Sequence, residues 1–121
     1  MNKEVQAGSS PDHPEGIFLV DGNGIEFPVS TLPANIGRGE MNEISIDDDS
    51  LSEAHARIYF DERVQEICIE DLDSANGIFV NQKPTSKNIL FTRSEIRLGL
   101  VTLTFHGHID GISPQEQTRQ P

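Results

Sequence analysis

The stretch DDDSLSEAHARI, residues 47–58, concentrates residue types that could do chemistry. Ser52 and His55 lie three residues apart, as a nucleophile and its general base could. The three consecutive aspartates at positions 47–49 could bind a cation. A third interpretation is a rigid loop that holds something else, with Ser52 acting only as a hydrogen-bond donor. The first interpretation predicts an enzyme, the second a metal protein and the third a binding module.

The catalytic and metal interpretations both lack supporting residues. A Ser–His pair needs hydrogen-bond reach and a third group that orients the imidazole, and nothing here resembles the Gly-x-Ser-x-Gly elbow. Calcium loops space their ligands at alternate positions around a glycine, whereas these aspartates are consecutive. The histidines are scattered along the chain, at His13, His55, His106 and His108. We therefore predict no catalytic residue, no metal ligand and no cofactor.

The charge of the chain restricts its partners. The 121 residues include 20 acids and 9 bases, which gives a formal net charge of -11. Such a field repels nucleic acid and anionic membrane surfaces and attracts basic partners. The longest apolar runs are far too short to span a bilayer, and the N-terminus has no signal-peptide pattern. We predict a cytoplasmic location, with no nucleic-acid and no membrane partner.

Hydrophobic periodicity predicts the fold class. Residues 1–15 and 107–121 are polar, carry glycine and proline, and show no periodicity, so we expect a flexible leader and a flexible tail around a core at 16–106. Within the core the apolar residues recur at every second position, which is typical of strands with one buried face. This alternation is found at residues 25–29, 56–60, 67–69 and 101–105. Many short strands predict an all-β sandwich or barrel.

Turn residues separate the predicted strands. The sequence DGNG at residues 21–24 supplies the positive-φ positions that a hairpin needs. Pro28 is expected on a sheet edge, because proline cannot donate to a ladder. Asn76-Gly77 is expected to form a tight hairpin turn.

Three polar segments carry a resemblance to a known family. Gly37-Arg38, Ser52-x-x-His55 and Asn76-Gly77-x-x-Val80-Asn81, in this order and spacing, resemble the forkhead-associated (FHA) domain. The resemblance extends over the predicted core, and loops at one end of a sandwich can converge on a rigid support. It implies a SMAD/FHA-like sandwich of two mostly antiparallel sheets.

The same resemblance implies a function. Members of the family bind phosphothreonine peptides and have no enzymatic activity of their own. By resemblance, Arg38 and Ser52 would contact the phosphate, and Asn76 would hydrogen-bond the peptide backbone. Arginine presents a planar fork of donors that suits phosphate, and a hydroxyl adds a neutral donor. The positions that would shape the loops are Gly37, His55 and Gly77.

Two positions depart from the family pattern. The residue after the serine is commonly arginine or asparagine and here is Glu53, while the residue before the asparagine is commonly threonine or serine and here is Ala75. A lost charge-assisted hydrogen bond of about 1.5–3 kcal/mol weakens binding about tenfold or more. We predict a phosphothreonine-dependent peptide-binding module in signalling, weakened by Glu53 and Ala75, whose partners are substrates of a Ser/Thr kinase. The alternative is a phosphate-independent scaffold or protein-interaction domain on the same fold.

Overall fold

A computed structural model describes residues 16–107 of the chain, and within that range it contains eleven strands and no helix. The strands are β1 (Phe18–Asp21), β2 (Glu26–Pro28), β3 (Ala34–Gly37), β4 (Ile44–Ser45), β5 (Ala56–Asp61), β6 (Glu66–Asp71), β7 (Ile78–Val80), β8 (Lys83–Thr85), β9 (Lys87–Ile89), β10 (Glu95–Leu98) and β11 (Val101–His106). The predicted leader, and the predicted tail beyond residue 107, lie outside the described residues. No helix in the described range is long and apolar enough to cross a membrane.

The strands form two sheets. One has six strands in the order β2-β1-β11-β10-β7-β8, and the other has five in the order β4-β3-β5-β6-β9. All strand pairs of the six-stranded sheet are antiparallel. In the five-stranded sheet β3 and β4 pair in parallel, and the other pairs are antiparallel. The predicted two-sheet, mostly antiparallel sandwich is confirmed.

Alternation along the strands builds the core between the sheets. Ile58 and Ile69 are fully buried and paired across β5 and β6, and Leu103 and Phe105 of β11 are buried on the opposite sheet. Burying a side chain of this size contributes about 1.5–3 kcal/mol. Ile25 departs from the predicted alternation, with 54% of its surface exposed. It lies in the turn before β2 begins, where its carbonyl accepts the N–H of Asp21 at 3.0 Å while its side chain stays exposed.

Of the predictions made for turn and edge residues, two are confirmed and one is wrong. Residues 22–25 connect the antiparallel strands β1 and β2, and the Asp21 carboxylate accepts the N–H groups of Asn23 and Ile25. Pro28 lies on β2, at the edge of the six-stranded sheet. The hairpin predicted at Asn76-Gly77 is wrong, because β6 and β7 belong to different sheets. The segment between them crosses from one sheet to the other.

Strand register brings several loops to one end of the sandwich. In the five-stranded sheet, Ala56 pairs with both Ile36 and Asp71, so β3 ends where β5 begins and β6 ends. In the six-stranded sheet, Leu98 pairs with both Ile78 and Val101, so β7 begins beside the β10–β11 turn. The loops that leave these strand ends carry the polar residues singled out above.

Candidate functional site

Arg38 follows the last residue of β3 and is exposed. Its backbone N–H donates to the Ser52 carbonyl at 2.9 Å, and its Nε donates to the Leu51 carbonyl at 3.2 Å. The backbone of the next loop therefore fixes one edge of the guanidinium and leaves the terminal amino groups as donors. Within residues 16–107, no carboxylate pairs with this arginine. An anion in solution can therefore reach it without displacing any acid of that range.

Ser52 lies at the junction of two loops. Its Oγ accepts the backbone N–H of Ala75 at 2.9 Å, and its own N–H donates to Nδ1 of His55 at 3.1 Å. A hydroxyl that accepts one hydrogen bond still has its own hydrogen to donate. Ser52 can therefore present that hydrogen to a ligand oxygen while its oxygen holds the neighbouring loop in place.

His55 is fully buried and bonds with both ring nitrogens. Because Nδ1 accepts the Ser52 N–H, the ring proton lies on Nε2, which donates to the Gly77 carbonyl at 2.9 Å. The imidazole thus bridges the β4–β5 and β6–β7 loops through backbone groups. Its nitrogens are engaged away from the Ser52 hydroxyl, so the pair has the geometry of a brace rather than of a nucleophile and its base.

Asn76 and Gly77 close the second side of the site. The exposed Asn76 donates from Nδ2 to the Ser50 carbonyl at 2.8 Å, which leaves its amide oxygen and its second N–H for a ligand. Gly77 has φ of +75°, a conformation that favours glycine, and its N–H donates to the Ser74 hydroxyl at 2.9 Å. The β6–β7 loop is therefore fixed at its backbone and exposes the Asn76 amide.

Gly37 and Gly39 allow the β3–β4 loop to lie directly on the β4–β5 loop. A Cβ on Gly37 would overlap the Glu53 carbonyl and come within 2.9 Å of Asn42 Nδ2. The Gly39 N–H donates to the same carbonyl at 3.0 Å, and Asn42 Nδ2 donates to it at 2.7 Å. Position 37 therefore has room for glycine alone. The close contact between the two loops holds the Arg38 backbone beside Ser52.

The two departures from the family pattern lie on the same face. Ala75 is exposed, and its backbone N–H is the group bonded to Ser52, so the methyl group stands where a threonine or serine would carry a hydroxyl. Glu53 is also exposed, and no ion pair engages its carboxylate among the described residues. The set of side chains expected to contact phosphate therefore has one hydroxyl fewer than the family pattern and has an exposed carboxylate beside it.

Sequence reasoning missed Asn42 and Ser50. The side-chain amide of Asn42 joins the β3–β4 and β4–β5 loops, because its Nδ2 donates to the carbonyls of Gly39 and Glu53. The Ser50 hydroxyl accepts the Leu100 N–H at 2.8 Å and donates to the Asp48 carboxylate at 2.6 Å. The hydroxyl and N–H of Ser50 hold the pKa of Asp48 below its ordinary value of 3.8. Neither residue belongs to a recognisable motif, and their partners are distant in sequence, so no local signal points to them.

A cavity of about 410 Å³ opens beside Asn76, and it too was absent from the sequence predictions. Its lining residues are Ser50, Asn76, Phe79, Arg97, Gly99 and Leu100. Arg97 stacks over the Phe79 ring at 4.0 Å and donates from Nη1 to the Gly99 carbonyl at 3.0 Å, while Leu100 is 80% exposed. Within residues 16–107, no group of three His, Cys, Asp or Glu side chains is placed to hold a metal ion.

The fold and the loops together define a class of protein: a β-sandwich that presents on converging loops a serine hydroxyl, an asparagine amide and an arginine that is unpaired within residues 16–107. The family model described as the FHA domain matches residues 34–99, more than half of the chain. The chain belongs to the FHA-domain family, and the resemblance seen in the sequence is confirmed.

Curated relatives share this domain within longer proteins. The chain is 32% identical over 82 residues to an oxoglutarate dehydrogenase inhibitor of Corynebacterium efficiens, a match that covers 68% of this chain and 56% of the relative. It is 35% identical over 96 residues to the human angiogenic factor with G patch and FHA domains 1, covering 68% of this chain and 13% of that protein. The chain thus spans about half the length of the first relative and much less of the second.

Solved structures show the same fold. An FHA domain studied for its phosphothreonine-dependent interactions superimposes with a TM-score of 0.69 at 28% identity, over 77% of this chain and 97% of that one. EmbR of Mycobacterium tuberculosis, solved with a low-affinity phosphopeptide, gives a TM-score of 0.69 at 30% identity, over 75% of this chain and 24% of that one.

Proposed function

We propose that this domain binds phosphothreonine-containing segments of partner proteins, which are products of a Ser/Thr kinase, and that it acts as an interaction module without catalytic activity. The observation that carries the proposal is the state of Arg38: exposed, held by the Leu51 carbonyl and unpaired with any described acid. A phosphothreonine brings about -1.5 to -2 charges and three acceptor oxygens. The arginine fork supplies the charge-assisted bonds for that group.

The neighbouring side chains complete the contact. Ser52 supplies a hydroxyl hydrogen to a phosphate oxygen, and Asn76 supplies an amide that can bond a peptide backbone in both directions. The loop backbone that carries them is fixed by His55 and by the close contact at Gly37 and Gly39, so little ordering is needed when a ligand binds. Gly37, His55 and Gly77 are therefore proposed as loop-shaping residues rather than as ligand contacts.

The relatives and the structural neighbours support this proposal. One neighbour was solved for phosphothreonine-dependent FHA interactions and another with a phosphopeptide, and the curated relatives carry the names of inhibitors, regulators and factors. The cytoplasmic location expected from the sequence stays a prediction.

Titration of the domain with a phosphothreonine peptide library tests the proposal, each peptide being paired with its unphosphorylated form. Fluorescence anisotropy should show binding of the phosphorylated members alone, and Arg38→Ala should abolish it because the charged contacts are lost. Arg63→Ala is the matched control: Arg63 is exposed in the β5–β6 turn, at the opposite end of β5 from His55. Its loss should leave binding unchanged.

A second candidate function, a phosphate-independent protein-interaction scaffold, is favoured by Glu53 and Ala75. These residues remove one phosphate donor and add a negative charge at the site. Equal binding of the phosphorylated and unphosphorylated peptides, retained in Arg38→Ala, would establish this function and exclude the first.

A further inference from the structure

Charge complementarity is incomplete if phosphate is the only charged group of the ligand. The chain has a formal net charge of -11, and a phosphothreonine adds a like charge of about -1.5 to -2. Long-range repulsion therefore opposes the approach of a peptide whose sole charge is its phosphate, and Arg38 provides one positive charge against it. A peptide that also carries basic side chains meets a favourable field.

Glu53 places a negative charge beside Gly39, the residue that follows Arg38. A Cβ built on Gly39, the residue after Arg38, would lie 2.7 Å from the Cγ of Glu53 and 3.3 Å from its Oε2. The Glu53 carbonyl is fixed by the Gly39 N–H and by the amide of Asn42, so the origin of this side chain is fixed as well. The Glu53 carboxylate therefore packs against the β3–β4 loop, which also carries Arg38.

These two opposite charges are neighbours that do not neutralise each other. The described residues contain no salt bridge between Arg38 and Glu53, and both side chains are exposed. An exposed arginine and an exposed glutamate on two contacting loops complement a ligand that carries both an anion and a cation. A phosphothreonine with a lysine or arginine close to it in the peptide is such a ligand.

We propose that Glu53 is a specificity-determining residue that selects phosphothreonine peptides with a basic side chain near the phosphothreonine. The inference rests on the proposed function, because it assigns the phosphate to Arg38. Glu53 then forms an exposed ion pair with the peptide cation, and the charge that weakens a neutral phosphopeptide strengthens a basic one. Exposed ion pairs of this kind change affinity about twofold to fivefold and are weakened by salt.

The test uses two series of phosphothreonine peptides in an otherwise neutral background. In one series a single lysine occupies each flanking position in turn, and in the other a glutamine does. For the unaltered domain, at least one position should give about twofold to fivefold tighter binding with lysine than with glutamine. Glu53→Gln should erase that preference while still binding the neutral phosphopeptide, and Glu53→Lys should convert it into a preference for glutamate at the same position.

Glu62→Gln is the matched control. Glu62 is an exposed acid in the β5–β6 turn, about 20 Å from the site along the six residues of β5. Its replacement changes the net charge as Glu53→Gln does and should keep the lysine preference. If neutral phosphopeptides bind through Arg38 but lysine gives no preference, or the preference survives Glu53→Gln, the inference is overturned and the proposed function stands. If no phosphothreonine peptide binds, both fall.

Discussion

The hydroxyl oxygen of Ser52 accepts the backbone N–H of Ala75 across a distance of 2.9 Å and a sequence separation of 23 residues. This bond joins the loop before β5 to the loop before β7, which belong to different sheets. It places the Ala75 side chain next to the hydroxyl that is proposed to meet the phosphate. Position 75, where the family's hydroxyl donor is missing, is therefore in direct contact with the Ser52 hydroxyl.

Ala75→Thr should tighten phosphopeptide binding. The added hydroxyl would lie beside the Ser52 hydroxyl on the exposed face and would give the phosphate one more charge-assisted hydrogen bond, which corresponds to an affinity gain of about tenfold. Isothermal titration with a phosphothreonine peptide measures the gain. Ala75→Val has the same shape without the hydroxyl, so equal effects of valine and threonine would refute the hydrogen-bond explanation.

His55→Ala should destabilise the domain by about 2–4 kcal/mol. Removal of the imidazole leaves the Ser52 N–H and the Gly77 carbonyl without their partner and opens a cavity in the buried loop junction. Urea unfolding followed by circular dichroism gives the free energy of unfolding.

His106→Ala serves as the comparison for that measurement. His106 stacks on Phe18 with ring centroids 5.0 Å apart and is half-buried on β11. Loss of this stacking should cost about 1 kcal/mol. A His55 variant no less stable than the His106 variant would contradict the role of His55 as a brace between loops.

Gly37→Ala should disrupt the site through the backbone. A Cβ at this position overlaps the Glu53 carbonyl, which two other donors hold in place, so the loops must separate at a cost of about 1–3 kcal/mol. Thermal unfolding and peptide affinity should both decline. Gly22→Ala is the control, because a Cβ there meets nothing within 4 Å, and its stability should stay within about 0.5 kcal/mol of the original.

Stability should fall in alkaline solution because of Cys68 and its cross-strand partner Tyr59. Burial raises the pKa of the Cys68 thiol above its ordinary value of 9.0 and the pKa of Tyr59 above 10.0. As the pH rises, the unfolded chain loses these protons before the folded domain does. The unfolded state then binds fewer protons, so the free energy of unfolding decreases with pH.

Cys68→Ala isolates the contribution of the thiol. The stability advantage of the unaltered domain over this variant should shrink from about pH 8 to about pH 10, the range in which an ordinary thiol ionises. Urea unfolding at several pH values measures it. An advantage that stays constant over this range would show that the thiol has the same pKa in both states.

Period-two alternation predicted the all-β class and most of the buried positions, while the family resemblance implied two sheets. Ile58, Ile69, Leu103 and Phe105 are buried where the alternation placed them, because a strand in a two-layer sandwich has one face against the core whatever its partners are. The loop motifs also predicted that three polar loops converge. Arg38, Ser52 and Asn76 lie on loops that hydrogen bonds join into one end of the fold.

Connectivity between the sheets was not predictable from local turn chemistry. Asn76-Gly77 has the residues of a hairpin turn, but the chain crosses there to the other sheet, and Gly77 supplies its positive φ to that crossing. The partners of Asn42 and Ser50 likewise come from other loops, at separations that a local pattern does not encode. Such contacts follow from the register of whole sheets.

The central claim is that a phosphothreonine peptide binds with its phosphate at Arg38 and the Ser52 hydroxyl and with its backbone at the Asn76 amide. The most direct test is a two-dimensional NMR titration with a phosphothreonine peptide and its unphosphorylated form, following backbone amides and the Arg38 Nε–H. We expect the phosphorylated peptide alone to shift the signals of Arg38, Ser52 and Asn76. Shifts that are the same for both peptides, or that lie on a sheet face around Tyr59 instead, would contradict phosphate capture at this site.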